Sequence, residues 1–305
     1  MAASLSALRR VTPNVTAVVT VADDGGSSGR LRRDLGVLPP GDLRMALAAL
    51  CEDDEWGRTW SRVVQHRFAG PGELAGHSVG NLLIVALWEL AADDPVNGLD
   101  WVGRLLKSSG RVLPMTTVPL EIEARVEHHD GSLVTVRGQV AVATATGRIV
   151  DVVLLPQEPP ACPQAVEAIE DADWVVLGPG SWFTSVIPHL LVPELAAAIR
   201  RTAARRMVVL NLEPQAGETT GFAPESYLQV LERHAPGLGI DVVLADPSSV
   251  TDIDALEKAA AQLGAEVALA NVRELSTLPR HDPDALAAAL RPWLTAPRPP
   301  QNGAG

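Results

Sequence analysis

The sequence predicts an α/β protein with a three-layer, doubly wound, mostly parallel sheet (Rossmann-like) that carries an antiparallel β insertion. Two observations support this class. Short apolar, β-branched runs alternate with helical patterns along most of the chain, as in parallel βαβ units. One stretch near residue 121 instead alternates strictly between charged and apolar side chains, which is typical of a half-buried strand. We expect one α/β domain over residues 1–294, with the insertion at about 111–156 and a disordered tail at 295–305.

Composition excludes several classes of protein. The chain has 305 residues and a formal net charge of −12, which argues against nucleic acid as a partner, since binders of the phosphate backbone carry a basic footprint. Cys51 and Cys162 are far apart and have no metal-like spacing, which indicates a reducing compartment. No run of about 18 apolar residues predicts a membrane span, and no signal peptide is recognisable. We therefore expect a cytoplasmic protein.

The first half of the chain predicts one strand followed by several helices. Leu5 and Leu8 indicate an amphipathic helix at the start. Residues 15–21 are rich in Val and Thr and predict a buried strand, and the polar sequence DDGGSSGR follows it directly. Further helices are expected at residues 42–51, 58–68, 78–92 and 99–107.

The predicted insertion has a different texture. Residues 121–127 alternate with period two, and Asp130-Gly131 supplies a hairpin turn. Residues 133–142 and 148–155 continue the predicted antiparallel meander. Strand and helix then alternate again: strands are expected at 174–177, 207–212, 240–245 and 266–270, and helices at 193–205, 252–263 and 283–294.

Three polar loops follow predicted parallel strands, and ligands of open α/β sheets bind beyond the carboxyl ends of such strands. In the first loop, glycine and serine N–H groups predict a phosphate nest, and Asp23 or Asp24 would bind a ligand hydroxyl, a ring N–H or Mg²⁺. The alternative is a strand-to-helix turn with a solvated acidic pair. The candidate residues in and near this loop are Asp23, Asp24, Gly25, Gly26, Ser27, Ser28, Asp42 and Arg44.

The second loop, GPGSWFTSVIPHLL, offers hydroxyl groups where a helix could begin and bind an anion. Its alternative role is helix capping alone. The third loop, NLEPQAGETTGF, carries side chains that can pair with the amide-like edge of a base, and its alternative is a polar surface loop. The candidates in these two loops are Gly178, Gly180, Ser181, Thr184, Ser185, Asn211, Gln215, Glu218 and Thr219.

Two further segments contain candidate site residues. The sequence GHSVG at residues 76–80 matches the nucleophile elbow G-x-S-x-G, with Asp246 and His281 later in the chain. That elbow needs a strand directly before it, and the preceding residues predict none, so we expect Ser78 to cap a helix. His77 and Asn81 then face either the ligand crevice or the core. Arg280 is a candidate phosphate ligand, with a surface loop as the equally plain alternative.

Taken together, TVADDGGSSGRLR, LPPGDLR, GHSVGNLL, ADWVVLGPGSWFTSVIPHLL and QAGET resemble the bacterial gluconeogenesis factor family over nearly the whole chain. The resemblance implies a cytoplasmic, doubly wound protein that binds UDP-sugars such as UDP-N-acetylglucosamine and acts on cell shape and cell-wall synthesis. The expected partners are a UDP-sugar or other nucleotide, cell-wall synthesis proteins and a second copy of the chain in a homo-oligomer. Family members open with a strand and a G-G-G-x-G loop, whereas this sequence opens with MAAS. We expect that strand to be missing because the start was placed late.

The same superfamily includes 2-phospho-L-lactate transferase of coenzyme F420 biosynthesis. The resemblance therefore leaves two functions open, a ligand-sensing regulator or a transferase of the phospholactate type, and enzyme activity is undecided. In the transferase, Asp23 and Asp24 would be the catalytic residues and would hold Mg²⁺ or the acceptor hydroxyl. The segment LPPGDLR and the sequence GPGS before Trp-Phe-Thr favour the regulator.

Overall fold

A computed structural model describes residues 1–276 and 278–296. The residues beyond 296, where the sequence predicts a disordered tail, lie outside the described residues. The strands are β1 Thr16–Val19, β2 Arg111–Pro114, β3 Glu121–Glu127, β4 Leu133–Arg137, β5 Arg148–Leu155, β6 Trp174–Leu177, β7 Arg205–Val209, β8 Val242–Ala245 and β9 Glu266–Leu269.

Helices connect most of these strands. They are α1 Ala2–Leu8, α2 Gly26–Leu35, α3 Gly41–Ala49, α4 Glu55–Gln65, α5 Val79–Leu90, α6 Pro95–Leu106, α7 Gln139–Ala143, α8 Pro163–Glu170, α9 Ile187–Leu190, α10 Pro193–Arg201, α11 Pro224–His234, α12 Ile253–Gln262 and α13 Pro283–Leu294. A π-helix at Trp182–Val186 precedes α9, and a 3-10 turn at Pro247–Ser249 follows β8.

The strands form parallel and antiparallel sheets, which confirms the predicted mixed α/β class. Strands β6-β7-β8-β9 form a parallel sheet in that order, and β1 pairs in parallel with β2. The parallel strands thus belong to two hydrogen-bonded sheets. The His189 ring of α9 contacts β1, since its Nε2 donates to the Val18 carbonyl oxygen at 3.0 Å.

The four-stranded sheet is covered on both faces, as a three-layer fold requires. Along β7, the side chain of Val208 belongs to the larger apolar core, while Met207 and Val209 belong to a second, smaller core. Leu286 and Leu290 of α13 complete the smaller core. Alternation of side chains across a strand explains this division, and helices on both faces make the sheet doubly wound.

The insertion differs from its predicted form in two places. Strands β4-β3-β5 make the predicted antiparallel sheet, and β3 and β5 have the predicted bounds. Arg111–Pro114, at the predicted start of the insertion, instead pairs in parallel with β1. Residues 133–142, expected as one strand, form strand β4 as far as Arg137 and then helix α7.

Among the described residues, no single helix is long and apolar enough to cross a membrane. The π-helix and α9 taken with α10 pass that test only as a pair bent by 73°.

Candidate functional site

The first predicted loop is shorter than expected, because α2 begins at Gly26. Ser27 and Ser28 therefore lie in the first turn of a helix, and both side chains are buried. A Cβ on Gly29 would overlap the carbonyl oxygen of Asp24, so glycine is needed where α2 packs against the loop. The loop turns at Asp23, whose Oδ1 accepts a hydrogen bond from the Gly25 N–H at 3.0 Å.

A second carboxylate lies beside Asp23. Asp42, at the start of α3, is only 8% exposed, and the one hydrogen bond that it accepts from a described side chain comes from the Thr20 hydroxyl at 3.4 Å. Burial, followed by the Asp23 carboxylate, raises the pKa of Asp42 to about 6. Asp23 Oδ2 and the Ser28 hydroxyl both lie against Gly41, where a Cβ would overlap them. The two acids and Ser28 therefore face one small volume.

The serines of α2 belong to a buried polar network that includes Arg44, His77 and Asn81. Arg44 Nε donates to Asn81 Oδ1 at 2.9 Å, which fixes the amide with its NH₂ group toward the serines. Asn81 Nδ2 then donates to Ser27 Oγ at 3.1 Å and to Ser28 Oγ at 3.3 Å. Residues 42, 44, 77 and 81, chosen from the sequence, are thus brought together around α2.

The hydrogen-bond donors in this network determine the state of His77. Ser27 Oγ accepts from Asn81 and from the Ser78 N–H, so its own hydroxyl hydrogen is directed to His77 Nδ1 at 3.0 Å. Burial, then the nearby Arg30 and Arg67 guanidinium groups, lowers the pKa of His77, and Asp34 opposes them. His77 is therefore neutral, with its proton on Nε2.

Ser78 is the N-cap of α5, as expected. Its hydroxyl accepts from the Asn81 N–H at 3.3 Å, and its backbone is in the ordinary extended region with φ −90° and ψ 141°. The residue is fully buried and follows the loop at residues 69–76 rather than a strand. A nucleophile elbow needs an exposed serine on a strained strand-to-helix turn, so this geometry argues against the hydrolase.

The second and third loops are joined through Glu218. Its carboxylate is 3% exposed and accepts hydrogen bonds from the Ser181 hydroxyl, from Thr184 Oγ1 at 2.8 Å and from the Phe183 N–H at 3.0 Å. The hydroxyl oxygens of Thr184 and Ser181 also lie 2.5 Å apart. The sequence predicts Glu218 as a ligand for a base, but in this structure its oxygens accept hydrogen bonds from the second loop.

Asn211 ties the same two loops together by a pair of backbone contacts. Its Oδ1 accepts from the Gly180 N–H at 2.9 Å, and its Nδ2 donates to the Gly180 carbonyl oxygen at 2.8 Å. Gly178 has φ +75°, and a Cβ there would lie 2.7 Å from the Val209 carbonyl oxygen. Ser185 is half-buried one turn later, with its N–H bound to the Ser181 carbonyl.

The third loop carries both a buried and an exposed candidate. Thr219 is fully buried, and its hydroxyl accepts from the Gln215 N–H at 2.8 Å and lies 3.2 Å from the Tyr227 hydroxyl. The Gln215 side chain is exposed. Tyr227 was missed in the sequence, although it is the only tyrosine of the chain. It packs edge-to-face on Trp182 at 5.1 Å between ring centroids.

Helix α7 contacts all three loops. Its Val140 N–H donates to Asp24 Oδ1 at 3.0 Å, so Asp24 caps it from the first loop. It packs on the π-helix of the second loop. Gly217 of the third loop, with φ +93°, approaches so closely that a Cβ would overlap the Ala143 carbonyl oxygen. The three loops therefore meet around α7, a segment for which the sequence predicts a strand.

The Met1 amino group lies between the first and second loops. It donates to the Pro179 carbonyl oxygen at 2.8 Å. Burial lowers the pKa of this amino group, while the Asp42 carboxylate opposes that shift. The Met1 amino group thus interacts both with Pro179 of the second loop and with Asp42 at the start of α3.

Arg280 does not join this arrangement. Its side chain is exposed and forms no hydrogen bond or ion pair with other described residues, and its carbonyl oxygen accepts from the Glu274 N–H. The neighbouring His281 is closer to the loops, since its ring interacts with Leu210 and with the Met1 amino group. Burial lowers the pKa of His281 to about 4.

The predicted magnesium ligands are only partly suited to that ion. Residues 1–276 and 278–296 contain no group of three or more His, Cys, Asp or Glu residues that could hold a metal ion. Mg²⁺ bound together with substrate phosphates needs only one or two protein carboxylates. Asp23 and Asp42 meet that requirement, whereas the Asp24 carboxylate already caps α7.

Comparison with known proteins is consistent across sequence and structure. The profile of the family described as 2-phospho-L-lactate transferase CofD matches residues 1–279. A "Putative gluconeogenesis factor" of Mycobacterium tuberculosis is 56% identical over 294 residues, which cover 94% of this chain and 85% of the relative. A "Gluconeogenesis factor" of Listeria innocua is 37% identical, covering 95% of this chain and 91% of the relative. The crystal structure of a UPF0052 family member from Bacillus halodurans superposes with a TM-score of 0.82 at 33% identity, covering 94% of this chain and 95% of that one.

Proposed function

The chain belongs to the family of 2-phospho-L-lactate transferase CofD, with gluconeogenesis factors among its relatives, and from that premise we propose that it is a regulator that binds a UDP-sugar. UDP-N-acetylglucosamine is the representative ligand. The ligand occupies the crevice between the Asp23 loop, the Gly178 loop and the Asn211 loop. The liganded protein then acts in the cytoplasm on cell-wall synthesis proteins, and so links carbon metabolism to cell shape.

The observation that carries this proposal is the contact of all three loops with α7. A nucleotide-sugar has separate base, diphosphate and sugar parts, and it needs several loops at one place to bind them. The backbone N–H groups in the first turn of α2, which begins at Gly26 and leaves them without partners inside the helix, suit a phosphate. The Asp23 and Asp42 carboxylates, with Ser28, suit sugar hydroxyl groups.

Thermal unfolding with UDP-N-acetylglucosamine tests the proposal. A ligand that binds only the folded form should raise the midpoint by about 5 °C at roughly 100 times its Kd. Asp23→Ala should reduce this shift, because it removes a site carboxylate. The matched control Asp254→Ala, on the exposed surface of α12, should keep it. A midpoint that does not move at millimolar ligand contradicts the proposal.

The description of the matching family favours one second candidate, a transferase of the phospholactate type. In that case Asp23 and Asp42 would hold Mg²⁺ or the acceptor hydroxyl, and loop N–H groups would stabilise charge on the transferred group. Incubation with a nucleotide-activated lactate, a deazaflavin acceptor and Mg²⁺ should then yield the phospholactyl product. No product alongside an active control enzyme would remove this candidate.

A further inference from the structure

Three arginines without carboxylate partners gather around the start of α5. The chain is acidic overall, with a formal net charge of −12. Ten arginines of the described part form ion pairs with acidic side chains, whereas others, such as Arg33 and Arg206, form none. Arg30, Arg44 and Arg67 form none within the described residues. The positive charges of Arg30 and Arg67 both lower the pKa of the His77 ring, and the charge of Arg67 also lowers the pKa of Arg44. The Asp42 and Asp23 carboxylates offset part of the Arg44 charge, so Arg30 and Arg67 are the members of this cluster that call for an anion.

The two outer arginines are held by backbone carbonyl oxygens. Arg30 Nη2 donates to the Ala75 carbonyl at 2.6 Å, and Nη1 donates to the Glu73 carbonyl at 3.2 Å. Arg67 Nη1 donates to the Gly76 carbonyl at 2.8 Å. A guanidinium group has five N–H donors, so Arg30 keeps three donors and Arg67 keeps four. Both groups are thus oriented, while most of their donors remain available.

His77 adds a neutral donor at the same place. Ser27 occupies its Nδ1, so the ring proton is on Nε2, and that atom makes no hydrogen bond to any residue the structure describes. Arg44 is buried and reaches this region only through Asn81. Asp34 is the acidic group whose charge raises the pKa of the His77 ring. The positive charges therefore outnumber the negative ones around His77.

We propose that Arg30, Arg67 and His77 form a binding site for one oxyanion group, a phosphate or a carboxylate, of a small metabolite. Planar guanidinium groups match the geometry of these anions. This site, hereafter the Arg30–Arg67 site, lies on the Ser27 side of the α2 serines, whereas the carboxylates of Asp23 and Asp42 lie on the Ser28 side. The inference does not rest on the proposed nucleotide-sugar ligand.

The experiment measures binding of inorganic phosphate, methyl phosphate and acetate to the full chain by calorimetry and thermal shift at constant ionic strength. Phosphate should bind, and Arg30→Gln and Arg67→Gln should each weaken it about tenfold, the loss expected for one charge-assisted contact. Arg62→Gln is the matched control, since Arg62 is exposed and lies in the last turn of α4, the helix that ends shortly before Arg67. It should bind phosphate like the parent protein.

The arms separate the possible sources of the anion. If methyl phosphate binds more tightly than acetate, the group that the site recognises is a phosphate. If acetate binds more tightly, that group is a carboxylate. Circular dichroism establishes that each variant is folded, and Arg30→Lys, which keeps the charge but loses the fork, should bind with intermediate affinity. If no anion binds at tens of millimolar, or if both glutamine variants bind like Arg62→Gln, the site does not exist. If the parent protein binds phosphate but does not bind UDP-N-acetylglucosamine, the proposed function is wrong and the Arg30–Arg67 site remains.

Discussion

The candidate site contains two buried carboxylates whose surroundings differ. Glu218 accepts three hydrogen bonds, from two hydroxyl groups and one backbone N–H. Among the described residues Asp42 accepts one side-chain hydrogen bond, at 3.4 Å. Burial, followed by the nearby Asp23 carboxylate, raises the pKa of Asp42 to about 6. Both side chains are less than a tenth exposed, so burial alone does not explain the difference.

The difference separates a structural carboxylate from one that awaits a ligand. Burying a charged group costs little when donors surround it and much when they do not. Glu218 has its donors, so it stabilises the junction of the second and third loops. Asp42 lacks them, and a ligand hydroxyl or a cation would supply what is missing. We infer that the first loop provides recognition and that the other two provide its frame.

The largest effect is expected when Glu218, the structural carboxylate of the two, is removed. Glu218→Ala leaves the Ser181, Thr184 and Phe183 donors without their acceptor in a buried place. We expect the free energy of unfolding to fall by about 4 kcal/mol, as measured by chemical denaturation. Glu257→Ala, on the exposed face of α12, serves as the control and should stay within about 0.5 kcal/mol of the parent protein. An equal, small loss in both variants would contradict the role assigned to Glu218.

The next prediction has the opposite sign. Asp42→Asn removes a buried charge whose pKa rises from 3.8 to about 6 on folding, so it should stabilise the protein by about 3 kcal/mol at pH 8. The gain should shrink as the pH falls toward 3.8, the pKa of the carboxyl in the unfolded chain, and should vanish well below that value. Between these limits the parent protein loses stability as the pH rises, because its folded form binds the proton more tightly. Denaturation curves from pH 4 to pH 8 measure the gain, and a variant less stable than the parent protein at pH 8 would refute it.

The different hydrogen bonding of Glu218 and Asp42 could not be predicted from the sequence. Strand β3, strand β6 and helix α13 have the bounds expected from their patterns, because period two, apolar runs and an early proline are local signals. The donors on Glu218 come from residues 34 to 37 positions earlier. No local pattern distinguishes such a glutamate from one in a solvated loop.

Helix α7 shows the same limit in the fold. Residues 133–142 are rich in Val and favour a strand by propensity, yet the segment turns into a helix at Gln139. Its Val140 N–H is held by Asp24, which lies 116 positions away. A tertiary contact therefore overrides local preference at the place where the three loops meet, and this is why the loop positions were predictable while the element joining them was not.

The smallest expected effect comes from making the same substitution on both sides of the comparison. Thr184→Val removes a 2.8 Å hydrogen bond to the Glu218 carboxylate, and Thr20→Val removes the 3.4 Å hydrogen bond to Asp42. Each change replaces a hydroxyl by a methyl group in a buried position, so the packing terms are matched. We expect Thr184→Val to lower the free energy of unfolding by about 2 kcal/mol, as for hydrogen bonds to charged groups, and Thr20→Val by less than about 1 kcal/mol. Losses of equal size would mean that Asp42 is as well bound as Glu218, and the division between a recognising loop and its frame would then lack its physical basis.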